Sequence, residues 1–224
     1  MGTGPVMQFL YLRRLVKDGV KPELLMIEIL PAFYIDSNGG PREKADFVSA
    51  RVRTDESKYL PRPGIASEVG EAGWQWLALN PWGELRFQIL SRIRSNLVPR
   101  NIIWLANRGI DRWGWLPVKA YRVTPEDYRR QCERAHAEYH QSLTTFIPNP
   151  QAVAALEDTL SYCREQGIAA SLVLYPEGSD FRSWYSPQTE IRIRELFTSV
   201  ARRHDAPLID ARTWISDDQF FDSH

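Results

Sequence analysis

Residues 24–30, with the sequence LLMIEIL, form a short apolar run that ends at Pro31. A run of this length and composition predicts a strand buried on both faces, which is typical of a parallel sheet. A second such run covers residues 169–175 and ends at Pro176, and a shorter one covers residues 207–210. Long segments separate the three runs, as the crossover connections of parallel strands require.

Segments with helical spacing lie before and between these strands. Apolar residues recur at helical intervals over residues 6–17, after Pro5 and before Gly19, which are typical start and stop signals. Three further helices are predicted, each starting at a proline, and two of them follow a residue that we interpret as the cap. These cover about residues 124–143 with Thr124 as cap, 149–167, and 187–204 with Ser186 as cap.

The alternation of helix and strand predicts an α/β fold with three α/β/α layers, in which helices cover both faces of a parallel sheet. We interpret residues 1–224 as a single domain. Within it, residues 36–73 have the turn-rich composition of an irregular insertion. Residues 74–98 have a helical pattern, and residues 99–124 are a Trp-rich loop that packs on the body or lines a cleft.

The composition is that of an ordinary globular protein, with 43% hydrophobic and 25% charged residues among 224. Lys plus Arg and Asp plus Glu both number 28. This balance argues against nucleic acid as a partner, because binding to its phosphates would need a basic excess.

No apolar run approaches the roughly 20 residues that span a bilayer, and the first residues lack the pattern of a signal peptide. The localisation is therefore unknown, cytoplasmic by default, with an exported or anchored parent protein left open. Cys132 and Cys163 have no CxxC partner, so we interpret them as ordinary thiols.

Ligands of open α/β sheets bind at the carboxyl ends of the strands, so the loops there are the candidate site. The loop over residues 176–185 holds Glu177, Ser179 and Arg182, more polar groups than a simple connection needs. Two roles are expected with equal weight: these side chains bind a substrate, or they fix the loop in place through ion pairs. Ser179 lacks the Gly-x-Ser-x-Gly surroundings of a nucleophile elbow.

Other titratable residues carry weaker signals. Glu28 lies inside an apolar strand, where a buried carboxylate needs a partner. His136 and His140 are four apart, but without the glutamate of a metalloprotease they are expected to be surface residues. Neither a phosphate-binding loop nor a dinucleotide fingerprint is present, so we expect no metal and no cofactor.

Asp222 and His224 close the chain, after the last predicted strand. A carboxylate beside an imidazole can orient it as a general base. The rival interpretation is a solvated acidic turn.

These pieces resemble the SGNH/GDSL hydrolase superfamily, in its divergent bacterial branch. The resemblance rests on Gly2-Thr3-Gly4-Pro5 before a helix, on residues 22–31, on residues 175–185, and on residues 208–212 running to Asp222-Ser223-His224. It implies a serine nucleophile after a first strand, an oxyanion glycine after a second, and an Asp-x-x-His loop near the end.

Carried over to this chain, the resemblance makes Gly2 or Gly4 the oxyanion glycine and Asp222 the triad aspartate. His224 is two residues after Asp222 rather than three, so the base is His224 or the residue after it. The family's asparagine has no match, since Pro31-Ala32-Phe33-Tyr34 stands in its place. The strand with the serine and the last helix have no counterpart in residues 1–224.

The resemblance thus implies a serine esterase or acyltransferase acting on a small-molecule or glycan ester, such as carbohydrate or cell-envelope acyl groups. Lacking its nucleophile, this chain is expected to be inactive. Two alternatives stay open. One is a non-catalytic member that binds glycan or protein through residues 104–115, and the other is a fragment without independent function.

Overall fold

The computed structural model describes residues 4–36, 56, 59 and 124–220. All of them belong to one compact unit, formed by Met1–Glu68 and Val123–His224. Residues 69–122 form a second unit and lie outside the described residues. The predictions for the irregular insertion, apart from Glu56 and Tyr59, for the helical segment 74–98 and for the Trp-rich loop therefore fall outside the described part.

Three parallel strands form the sheet, in the order β1-β2-β3. In the register, Leu24 pairs with Ala169 and Ile29 with Leu174, while Leu174 also pairs with Asp210. This confirms the predicted mixed helix and strand fold with a parallel sheet. The strands are β1 (Leu24–Ile29), β2 (Ala169–Leu174) and β3 (Leu208–Asp210).

The four long helices of the described part lie where the sequence predicts them, and three short elements were not predicted. A short helix opens in the predicted loop after β2, and 3-10 turns cover Pro31–Tyr34 and Asp217–Gln219. None of the described helices is both long and apolar enough to cross a membrane. The helices are α1 (Pro5–Lys17), α2 (Pro125–Thr144), α3 (Pro150–Gln166), α4 (Ser179–Arg182) and α5 (Pro187–Arg203).

Side-chain caps hold the starts of three helices, and those of Thr124 and Ser186 were predicted. The oxygens of Thr124 and Ser186 each accept a hydrogen bond from the amide three residues later. The Asn149 side chain accepts two, from Gln151 and Ala152. Such caps satisfy amides that have no partner within the helix.

The core lies on one face of the sheet. Ile27 and Ile29 of β1 and Leu172 and Leu174 of β2 are buried with apolar residues of α3, α5 and the end of α2. On the other face of β1, Leu24 and Met26 are 53% and 58% exposed.

The prediction that β1 is buried on both faces is therefore wrong. Side chains of a strand alternate between two faces, and an uninterrupted apolar run does not reveal that only one is covered. Glu28 lies on the same face as Met26 and is exposed. The expectation that it is a buried carboxylate in need of a partner is wrong for the same reason.

Helix α1 packs against α3 beside the sheet, where Leu12 joins a small buried cluster with Cys163 and Ile168. Both cysteines are free thiols. The Arg13 guanidinium of α1 lies 3.7 Å from the ring centroid of Tyr59 and 4.6 Å from that of Tyr162 in α3. Cation–π contacts of this kind attach α1 to its surroundings without adding a buried charge.

Candidate functional site at the carboxyl edge of the sheet

The carboxyl ends of the parallel strands meet at one edge of the sheet, and the candidate residues are distributed around it. The residues that follow β2 include Glu177, Ser179 and Arg182. Gly4 is the buried N-cap of α1, and a short turn leads from this helix into β1. This connection directs the N-terminus of α1 toward the same edge. Gly2, Asp222 and His224 lie outside the described residues.

Ser179 joins the loop after β2 to the loop after β3. Its amide donates to Oδ1 of Asp217 at 2.8 Å, and its hydroxyl donates to Oδ2 of the same carboxylate. These two bonds lower the pKa of Asp217 below its usual value. Ser179 therefore connects the two loops through the Asp217 carboxylate.

Arg182 joins the same two loops through their backbone. Its Nη1 donates to the carbonyl oxygen of Arg212 at 2.9 Å and to the carbonyl oxygen of Glu177. The Glu177 amide also donates to the Arg212 carbonyl, at 3.1 Å. One guanidinium therefore satisfies carbonyls at the ends of both β2 and β3, a charge-assisted arrangement that resists separation of the loops.

Glu177 belongs to the loop after β2, and it is buried, with only 1% of its surface exposed. Its Oε1 accepts a hydrogen bond of 2.6 Å from the Tyr185 hydroxyl, while Oε2 has no hydrogen-bond partner among the residues that the structure describes. Burial raises the pKa of Glu177 to about 7, although the Tyr185 bond and the charge of Arg212 oppose this. The carboxyl group is thus poised to change its charge near neutral pH.

Arg212 is the charged residue whose role the sequence analysis missed. It is 5% exposed, and its guanidinium binds both oxygens of Asp210, at 3.1 and 3.0 Å, and the Glu190 carboxylate at 2.8 Å. The hydrogen bonds from Arg212 lower the pKa of Asp210. The spacing Asp210-x-Arg212 at a strand end was the available signal, but Glu190 is 22 positions away in the chain.

Helix α2 lines another side of the edge. The ring of His136 meets that of Trp184 edge to face at 5.1 Å and stacks on His140 at 4.3 Å. Tyr128 lies one turn before Cys132, and burial, Cys132 and the nearby carboxylates raise the pKa of this tyrosine to about 12. His136 is exposed, as expected for a surface residue, but it also packs against the loop after β2.

At this edge, carboxylates and guanidinium groups therefore form a polar network, and aromatic rings lie beside it. In the described part of the chain, no group of three or more histidine, cysteine, aspartate or glutamate side chains is arranged to hold a metal ion. Comparisons of this chain with protein families, curated proteins and solved structures found no match.

Proposed function

We propose that the carboxyl edge of the sheet belongs to an SGNH-like serine esterase or acyltransferase acting on carbohydrate or cell-envelope acyl groups. The observation that carries the proposal is the linkage of the loops after β2 and β3 by Ser179, Asp217 and Arg182. Asp222 follows shortly after Asp217 in the second of these loops. An acid–base pair needs such an anchored support, because small displacements of a catalytic group lower the rate strongly.

In this proposal Asp222 orients the imidazole of His224, or of the residue after it, as a general base. The base takes the proton from a serine hydroxyl, and the serine oxygen attacks the acyl carbonyl. The amide of Gly2 or Gly4, at the start of α1, donates to the oxyanion that forms. The resemblance places the serine on a strand before Gly2, so residues 1–224 alone are proposed to be inactive.

Reading the genomic DNA on both sides of codons 1–224 is the first test. We expect a strand ending in Gly-x-Ser upstream. A histidine codon directly after His224 would identify that residue as the base, and any other codon there would leave His224 in this role. The protein encoded with that serine is then assayed with p-nitrophenyl acetate, next to residues 1–224 alone. We expect turnover only when the serine is present.

Two aspartates of one loop provide a matched comparison in this assay. Asp222→Ala is expected to lower kcat by about 10³-fold or more, as losses of triad members do. Asp218→Ala removes an exposed carboxylate nearby and is expected to change kcat by less than about twofold. Equal effects of the two substitutions, or no serine codon and no turnover, would contradict the proposal. Turnover by residues 1–224 that Asp222→Ala abolishes would support the ester site but refute the inactivity of this chain.

A further inference from the structure

Glu177 carries a buried carboxyl group to which no cation is bound in the described part of the structure. Its Oε1 accepts from the Tyr185 hydroxyl at 2.6 Å, and its Oε2 is buried without a hydrogen-bond partner among the described residues. The charged form is unfavourable there, because burial removes its water and leaves one oxygen unpaired. Burial raises the pKa of this group to about 7, so it is protonated below that pH and charged above it.

Charged and titratable groups of several segments face Glu177. They are Tyr185 of the same loop, Arg182 of α4, Glu190 of α5 and Arg212 after β3. Arg212 is already bound to Glu190 at 2.8 Å and to Asp210 at 3.0 Å. Because these two carboxylates hold its guanidinium, Arg212 is not available to pair with a new negative charge on Glu177.

Arg182 is the cation that is available to do so. Its Nη1 donates to two carbonyl oxygens, that of Glu177 and, at 2.9 Å, that of Arg212. In the described part of the chain, neither this bond pair nor any ion pair joins Arg182 to a carboxylate. A guanidinium binds a carboxylate more strongly than a neutral carbonyl, because both partners are then charged. The contact with the Glu177 carbonyl places Arg182 close to the carboxylate of the same residue.

We propose that Glu177 is a protonation switch for the linkage of the loops after β2 and β3. With Glu177 protonated, Arg182 joins the two loops through the Arg212 carbonyl. When the carboxyl group loses its proton to water, the Arg182 guanidinium turns from that carbonyl to the Glu177 carboxylate, and the loop after β3 becomes more mobile. The switch does not depend on an esterase reaction at this edge, and its test measures amides rather than turnover.

Amide hydrogen exchange of residues 1–224, resolved to single residues by NMR, tests the switch. The reporter is the Glu177 amide, which donates to the Arg212 carbonyl at 3.1 Å. The reference is the Ala169 amide, which donates to the Glu23 carbonyl at the other end of the sheet. Exchange rates are corrected for the intrinsic effect of pH. Between about pH 5.5 and about pH 8, we expect protection of the reporter to fall at least about tenfold more than that of the reference.

Glu177→Gln removes the titration and keeps the size of the side chain. We expect its reporter and reference amides to keep the same ratio of protection at both pH values. Glu165→Gln, which changes an exposed glutamate of α3, should behave as the unsubstituted chain does.

Two results would overturn the switch. One is an equal fall of reporter and reference in the unsubstituted chain, and the other is the full selective fall in Glu177→Gln. The first result needs no variant, so the switch is tested even if Glu177→Gln does not fold.

Discussion

At the scale of single residues, Glu177 and Arg212 are both almost completely buried. Their surroundings favour the charged form of Arg212 and the neutral form of Glu177. Arg212 keeps its charge because two carboxylates bind it. Glu177 has a single side-chain hydrogen bond, from Tyr185, and its Oε2 is without a partner in the described part of the structure. Burial therefore favours its neutral form, and its pKa is raised from 4.5 to about 7.

The first consequence is a pH dependence of stability. The pKa of Glu177 is higher in the folded state than in the unfolded state, so its contribution is fully present below pH 4.5 and is lost as the pH rises through 7. This one group should lower the free energy of unfolding by on the order of 3 kcal/mol across that window. Glu177→Gln cannot ionise, and we expect the decline to disappear in urea denaturation between pH 4.5 and 7.5.

Glu165→Gln is the control for this measurement, because Glu165 is exposed on α3. Its unfolding free energy should decline with pH as that of the unsubstituted chain does. A decline of unchanged size in Glu177→Gln would show that folding does not raise the pKa of Glu177.

At the scale of single elements, the side-chain caps at the helix starts each contribute to the free energy of unfolding, and substitutions measure how much. Asn149 is buried at the start of α3, and its Oδ1 accepts hydrogen bonds from two amides, at 2.9 and 3.1 Å. Asn149→Ala would leave both amides without this partner. We expect the free energy of unfolding to fall by about 1–2 kcal/mol, as measured for helix caps.

Thr124→Ala at the start of α2 provides the comparison, since Thr124 is exposed and accepts from one amide. Water can replace that bond, so we expect a smaller loss, about 0.5 kcal/mol. The measurement is thermal or urea unfolding of both variants at one pH. A larger loss for Thr124→Ala than for Asn149→Ala would contradict the roles assigned to these caps.

The whole molecule has its core on one face of the sheet, and neighbouring residues of β1 test this directly. Ile27 is 5% exposed on the core face, and Met26 is 58% exposed on the other. We expect Ile27→Ala to lower the free energy of unfolding by about 2–4 kcal/mol, because it opens a cavity. Met26→Ala should cost less than about 1 kcal/mol. Similar losses in urea denaturation would show that both faces are covered.

The candidate site could be predicted only in part from the sequence. Glu177, Ser179 and Arg182 lie in one loop, so their grouping at the end of β2 followed from the strand prediction. Their partners did not follow, because Ser179 and Asp217 are 38 positions apart and Arg182 and Arg212 are 30 apart. Such pairs form only when two strands have been placed side by side.

In the part of the chain that the structure describes, the sequence by itself determined to within about one residue where the long helices and the strands begin and end, because prolines, capping residues and apolar periodicity act within a few residues of chain. The parallel α/β class followed from the order of these elements. Only the tertiary structure decided which face of β1 is buried and how Glu177 and Arg212 are held. These properties depend on contacts between distant segments, and an apolar run such as residues 24–30 has the same composition whether one face or both are covered.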